Sequence, residues 1–172
     1  MIIKECNIAT GRDKMTQTTC QICGRKIQAT KGLIAHHGYT RPGNGWQTGS
    51  CFGARNLPYE VSRNVIPEAQ RIVKDTIDRR NNQLRSLLDT PPAIINEEVR
   101  VRIPGSLLRK TETREHARPD NFSATENFGA TRYAQIYQRD VFKLEREIAT
   151  LLQEQIYLQE RFDNWVPPAG SK

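Results

Sequence analysis

Cys20-Gln21-Ile22-Cys23-Gly24, then His36-His37-Gly38-Tyr39, then Ser50-Cys51-Phe52-Gly53 is the stretch whose reading decides the fold. Two cysteines two residues apart, followed by a glycine, make a knuckle that turns both sulfurs towards one cation. A histidine and a third cysteine downstream complete four nitrogen and sulfur donors, the number a closed structural zinc site requires. The intervals are Cys-x2-Cys-x12-His-x14-Cys with His36 as the ligand, or x13 and x13 with His37. The expected set is Cys20, Cys23, His36 and Cys51 around one Zn2+, with His37 as the alternative to His36. A redox dithiol would explain the paired cysteines but not the histidines and the third cysteine that follow.

The first half of the stretch also spaces its apolar residues. Cys23-x3-Ile27-x5-Leu33-x2-His36 resembles the order of ligand, core, core and ligand in a ββα zinc finger. That likeness implies Ile27 and Leu33 packed beneath the metal and His36 leaving a short helix. It covers three ligands only, because Thr40, Arg41 and Pro42 stand where a finger places its second histidine. Cys51 must then supply the fourth ligand across a Gly- and Pro-rich loop. A treble-clef or ribbon-like knuckle is the competing form.

That loop holds four glycines, one proline, Tyr39 and Trp46. Residues 1–60 carry eight Lys/Arg against three Asp/Glu, whereas residues 61–172 carry eighteen against sixteen. Positive charge concentrated on one segment draws polyanions. Arg25, Lys26, Lys31, Arg41 and Arg55, interleaved with Tyr39 and Trp46, form the candidate surface for phosphates and stacked bases. Trp46 and Tyr39 are also candidates for the miniature core of a small metal domain.

The run His-His-Gly-Tyr, Arg-Pro-Gly, Gly-Trp-Gln-Thr, Cys-x-Gly-Ala-Arg and Leu57-Pro-Tyr-Glu-Val-Ser resembles a set of uncharacterised small zinc-binding proteins from bacterial and phage genomes. The resemblance covers residues 20–63. It implies a zinc site, a helical region after it and a phage or prophage setting, and it carries no activity.

Beyond the stretch, a low apolar fraction of 37% suits a thin core stapled by metal. Residues 1–19 read as a polar leader. The opening Met-Ile-Ile-Lys-Glu-Cys does not have the charged-then-apolar layout expected of a secretory signal, and no run is long and apolar enough to span a bilayer. Three cysteines committed to metal with Cys6 left over point to a reducing, cytoplasmic location and no membrane.

A first helix is expected from Pro58 or Pro67 to Thr90-Pro91-Pro92, with Ile66, Ala69, Ile72, Val73, Ile77, Leu84, Leu87 and Leu88 as its apolar stripe. Residues 91–128 read as a connection. In it Val99, Val101 and Ile103 alternate with Arg100 and Arg102 as one short strand, followed by a loop holding His116 on the surface. Ser123–Glu126 is a candidate capping box for a second helix. That helix repeats Ala130, Ala134, Tyr137, Val141, Leu144, Ile148, Leu151, Gln155, Leu158, Phe162 and Trp165 by fours and threes, a heptad pattern.

The expected fold is mainly α: a zinc knuckle or finger at 20–57, a long coiled-coil-like antiparallel helical hairpin at 58–166, and a tail at 167–172. The heptad seam would serve that hairpin or pair two chains as a homodimer. The expected function is a non-enzymatic, zinc-dependent module contacting nucleic acid through its basic domain. One alternative is a regulatory factor gripping a host protein through the hairpin. The enzymatic alternative is a degenerate nuclease of the His-Asn-His kind, with His37 as base and Asn44 orienting it. Its departures are an asparagine only seven residues after the histidine and a cysteine where a metal-binding histidine belongs.

Overall fold

The computed structural model describes residues 17–41, 47–123 and 131–168. Most of the leader with Cys6, the Pro42–Trp46 part of the loop, Asn44, most of the capping box and the last residues of the tail lie outside these. Among the described residues there are two helices and seven strands in three small sheets. The expected mainly-α fold built on a long helical hairpin is therefore corrected to a mixed α/β one. The chain divides into two compact units, Met1–Gln70 with Tyr157–Lys172, and Arg71–Ile156.

The first unit is built from short hairpins. Strands β1 (Gln17–Thr19), β2 (Lys26–Thr30) and β3 (Leu33–Ile34) form an antiparallel sheet in that order. The β2–β3 link is the two-residue turn Lys31-Gly32, with φ of 54° and 77°. Positive φ at both central residues matches the natural twist of paired strands, which is why a glycine sits there. This hairpin replaces the short helix expected before His36. With strand alternation, Ile34 is buried and Leu33, expected beneath the metal, is 41% exposed. Strands β4 (Gly38–Thr40) and β5 (Gln47–Ser50) make a second antiparallel pair.

Helix α1 (Ile66–Asp89) carries Pro67 in its first turn, where a missing N–H leaves nothing unsatisfied, and stops before Thr90-Pro91-Pro92. Within the first unit, Ile66 and Ala69 are buried. In the second unit Val73 and Ile77 are, while Ile72 and Leu88 stand exposed, so the stripe is narrower than expected.

The second unit replaces the supposed single strand and loop with one long ribbon. β6 (Ile94–Arg102) pairs antiparallel with β7 (Arg109–Ala117) over nine residues each, from Ile94 opposite Ala117 to Arg102 opposite Arg109. The strand's partner is the segment that follows it in the chain. Ile95 of the ribbon packs on Tyr133, Ile136 and Tyr137 of α2 (Arg132–Asp163), with Leu87, Phe122 and Val141 around them. Phe122 meets both tyrosine rings edge-on at 5.0 Å. The buried hydroxyls are satisfied: Tyr133 donates to Pro92 O at 2.5 Å and Tyr137 to Leu87 O at 3.1 Å. His116, expected on the surface, is half-buried and bonded to Glu97 at 3.1 Å, while Arg132 donates to both oxygens of the same carboxylate. No helix among the described residues is long and apolar enough to cross a membrane.

Candidate metal centre

The site sits where the tip of one hairpin meets the base of another. Residues 20–25 close the turn between β1 and β2. Cys20 N donates to Arg25 O at 2.9 Å, and Gly24 N to Cys20 O at 3.2 Å. Gly24 takes φ of +70°, and a Cβ there would overlap the Tyr157 hydroxyl. At the base of β4–β5, Gly38 pairs with Ser50, which sets the flanking His37 and Cys51 side by side. Cys51 N donates to His37 O at 2.9 Å.

Cys20, Cys23, His37 and Cys51 therefore converge, with all four donor atoms within 4.8 Å of one another. Cys20 Sγ lies 3.7 Å from Cys51 Sγ, and Cys23 Sγ lies 3.4 Å from His37 Nε2. A tetrahedral ion with metal–sulfur bonds of about 2.3 Å and a metal–nitrogen bond of about 2.05 Å needs edges of about 3.8 and 3.6 Å. The separations fit. His37 Nδ1 donates to Ala35 O at 2.8 Å, which leaves the Nε2 lone pair facing the sulfurs. His36, the histidine expected to coordinate, is corrected to His37. His37 stands directly before β4, and His36 Nε2 instead meets Ser50 Oγ at 2.8 Å.

Backbone amides reinforce the sulfurs as charge acceptors. Those of Ile22 and Cys23 reach Cys20, that of Arg25 reaches Cys23, and that of Gly53 reaches Cys51. Three sulfurs so close cannot all hold charge by themselves. Hydrogen bonding from Cys20, then Cys51, holds the Cys23 thiol far below the ordinary range. Hydrogen bonding to Cys20, then Cys23, pushes Cys51 up, and hydrogen bonding to Cys23 pushes Cys20 up. A divalent cation relieves this competition by accepting all three as thiolates. Gly53 leaves the room: a methyl in its place would overlap Cys20 Sγ.

The surroundings are closed. Cys20, Cys23 and Cys51 are 0%, 8% and 3% exposed. Gln21, inside the knuckle, is fully buried and fully satisfied: its Nε2 donates to Leu57 O at 2.7 Å and Asn64 Oδ1 at 3.1 Å, and its Oε1 accepts from Val65 N at 3.2 Å. It thus ties the knuckle to the start of α1. Arg161 donates to Gln21 O and Cys20 O, both at 2.9 Å, with its guanidinium 4.0 Å over the Tyr59 ring. Trp165 Nε1 donates to Tyr59 O at 2.7 Å. None of Gln21, Arg161, Tyr59 or Trp165 carries a sequence signal for this role, since each acts through a contact distant along the chain.

The residues of the expected basic surface take different places. Arg25 donates to Gly38 O and approaches Cys23, so it braces the site. Lys26 binds Thr19 Oγ1 at 2.8 Å and Glu60 at 3.3 Å. Tyr39 and Arg41 are half-buried. Lys31 and Arg55 are exposed, each on a residue of positive φ. What the arrangement shows is a Cys3His group able to hold a metal ion. No protein-family model matches the chain, and searches of curated proteins and of solved structures return no match.

Proposed function

We propose that this chain is a non-catalytic binding module whose first unit is held folded by one zinc ion, and that its partner is a nucleic acid. The observation that carries the zinc assignment is the closed donor set. Three sulfurs and one nitrogen match tetrahedral zinc, a borderline-soft ion, and harder cations prefer oxygen. Four protein donors, three of them on buried residues, leave no position for substrate or water, so the ion is structural. The same set argues against a His-Asn-His nuclease. His37, which would have to take a proton, aims its free nitrogen at Cys23.

The nucleic-acid reading is supported by a net charge of +7 and by the exposed Lys31 and Arg55. A protein partner is the second reading, favoured by the exposure of Phe142, Leu152 and Ile156 on α2. Elemental analysis of the purified chain, run with a plasmid incubation in Mg2+, tests the proposal. One zinc per chain and intact plasmid are expected. A metal-free folded protein, or a nicked plasmid, would overturn it.

A further inference from the structure

Among the described residues, none from 99 to 111 belongs to the buried core. Beyond the Val99–Glu112 pair, residues 100–111 hold Arg100, Arg102, Arg109 and Lys110 and not one acidic residue, whereas the rest of the ribbon carries Glu97, Glu98, Glu112 and Glu115. Lys110 is already paired with Glu112 at 2.8 Å. Among the described residues no carboxylate lies in ion-pair range of the three arginines.

The register puts Arg102 directly opposite Arg109, with Arg100 two residues along the same face. Like charges directly opposite one another destabilise a ribbon, so this pairing favours a bound anion over the free state.

The tip is built rather than loose. Pro104-Gly105 turns the chain with φ of +76° at the glycine. Ser106 N donates to Ile103 O at 3.1 Å, Leu108 N to Ser106 Oγ at 3.1 Å, and Ile103 N to Leu108 O at 3.2 Å. This frame holds Leu107 and Leu108 out at 92% and 69% exposure. Two large aliphatic side chains in water at the end of an arginine-bearing ribbon need an occupant.

We propose that this ribbon is a finger for duplex DNA, with Arg100, Arg102 and Arg109 on phosphates and Leu107 and Leu108 wedged between base pairs. The inference rests on the nucleic-acid reading above, and it moves the contact from the metal-bearing unit to the second unit. Guanidinium forks bind phosphate oxygens two at a time, and apolar side chains inserted between base steps kink the duplex. An anionic bilayer offers the same negative charge. However, residues 99–111 hold no Trp or Tyr, the side chains that anchor a segment at a membrane interface.

Fluorescence anisotropy of the zinc-loaded full chain on a short DNA duplex, over a range of salt, tests the arginines. Energy transfer between dyes on the duplex ends tests the wedge. In Arg100→Gln/Arg102→Gln/Arg109→Gln the slope of log affinity against log salt is expected to flatten by about 2.7, from three lost contacts at 0.9 each. Leu107→Ser/Leu108→Ser is expected to abolish the bend while the salt slope stays, because it removes no phosphate contact.

A wild-type slope in the arginine variant, or a duplex that wild-type protein leaves straight, would overturn the proposal. If Lys31→Ala/Arg55→Ala flattens the slope instead, the finger is wrong and the nucleic-acid reading stands. Binding to phosphatidylserine vesicles but to no duplex would sink both, with the zinc content untouched.

Discussion

At the scale of single residues, the two adjacent histidines make the sharpest contrast. His37 presents Nε2 to the sulfurs and His36 presents its ring to Ser50. His37→Ala is therefore expected to lower zinc affinity by at least about 100-fold, beyond what loss of a supporting group alone produces. His36→Ala should leave affinity within a few-fold, and competition with a chromophoric chelator reads both. Equal losses would contradict the assignment. Gln21→Ala removes the hydrogen bonds to Leu57 O, Asn64 Oδ1 and Val65 N and should cost the first unit about 1–3 kcal/mol in a denaturant titration. The ligand types were legible in the sequence because the knuckle is local. The choice of histidine was not, because it depends on whether residues 33–37 coil or extend. The finger-like spacing of Ile27 and Leu33 suited a helix, but the Lys31-Gly32 turn made a hairpin.

At the scale of elements, the ribbon shows where reading by apolar alternation stops. Val99, Val101 and Ile103 mark β6, but β7 reads Arg-Lys-Thr-Glu-Thr-Arg-Glu-His-Ala and has no apolar face of its own. Its strand character comes from pairing with β6 and from cross-strand charge, above all the Glu97 carboxylate between Arg132 and His116. Arg132, then His116, hold Glu97 down to about 2 from its ordinary 4.5. Since the folded value is the lower one, its stabilising effect is present above pH 4.5 and lost as pH falls from there towards 2. The difference in denaturation midpoint between wild type and Glu97→Gln should be largest above pH 4.5 and close on acidification. A difference that is flat across this window would show that the carboxylate is not so held.

At the scale of the whole chain there are two compact units, and one of them carries the candidate metal centre. Removing zinc should strip amide protection from residues 17–60, while the ribbon and the 132–156 part of α2 keep theirs in hydrogen exchange. Uniform loss across both would show a single cooperative body. The heptad pattern of α2 was legible as burial: Ala134, Tyr137, Ile148 and Leu158 are all buried. Its partner was not legible, since periodicity says that a face is covered and not by what. Ile95 of the ribbon meets it in the second unit, and in the first Arg161, near its end, returns to the knuckle. The central claim is that one zinc ion joins both hairpins of the first unit, and X-ray absorption at the zinc edge of the purified chain tests it most directly. The account predicts a shell of three sulfurs at about 2.3 Å and one nitrogen at about 2.0–2.1 Å. A shell with two nitrogens, an oxygen-rich shell, or no stoichiometric zinc in folded protein would contradict it.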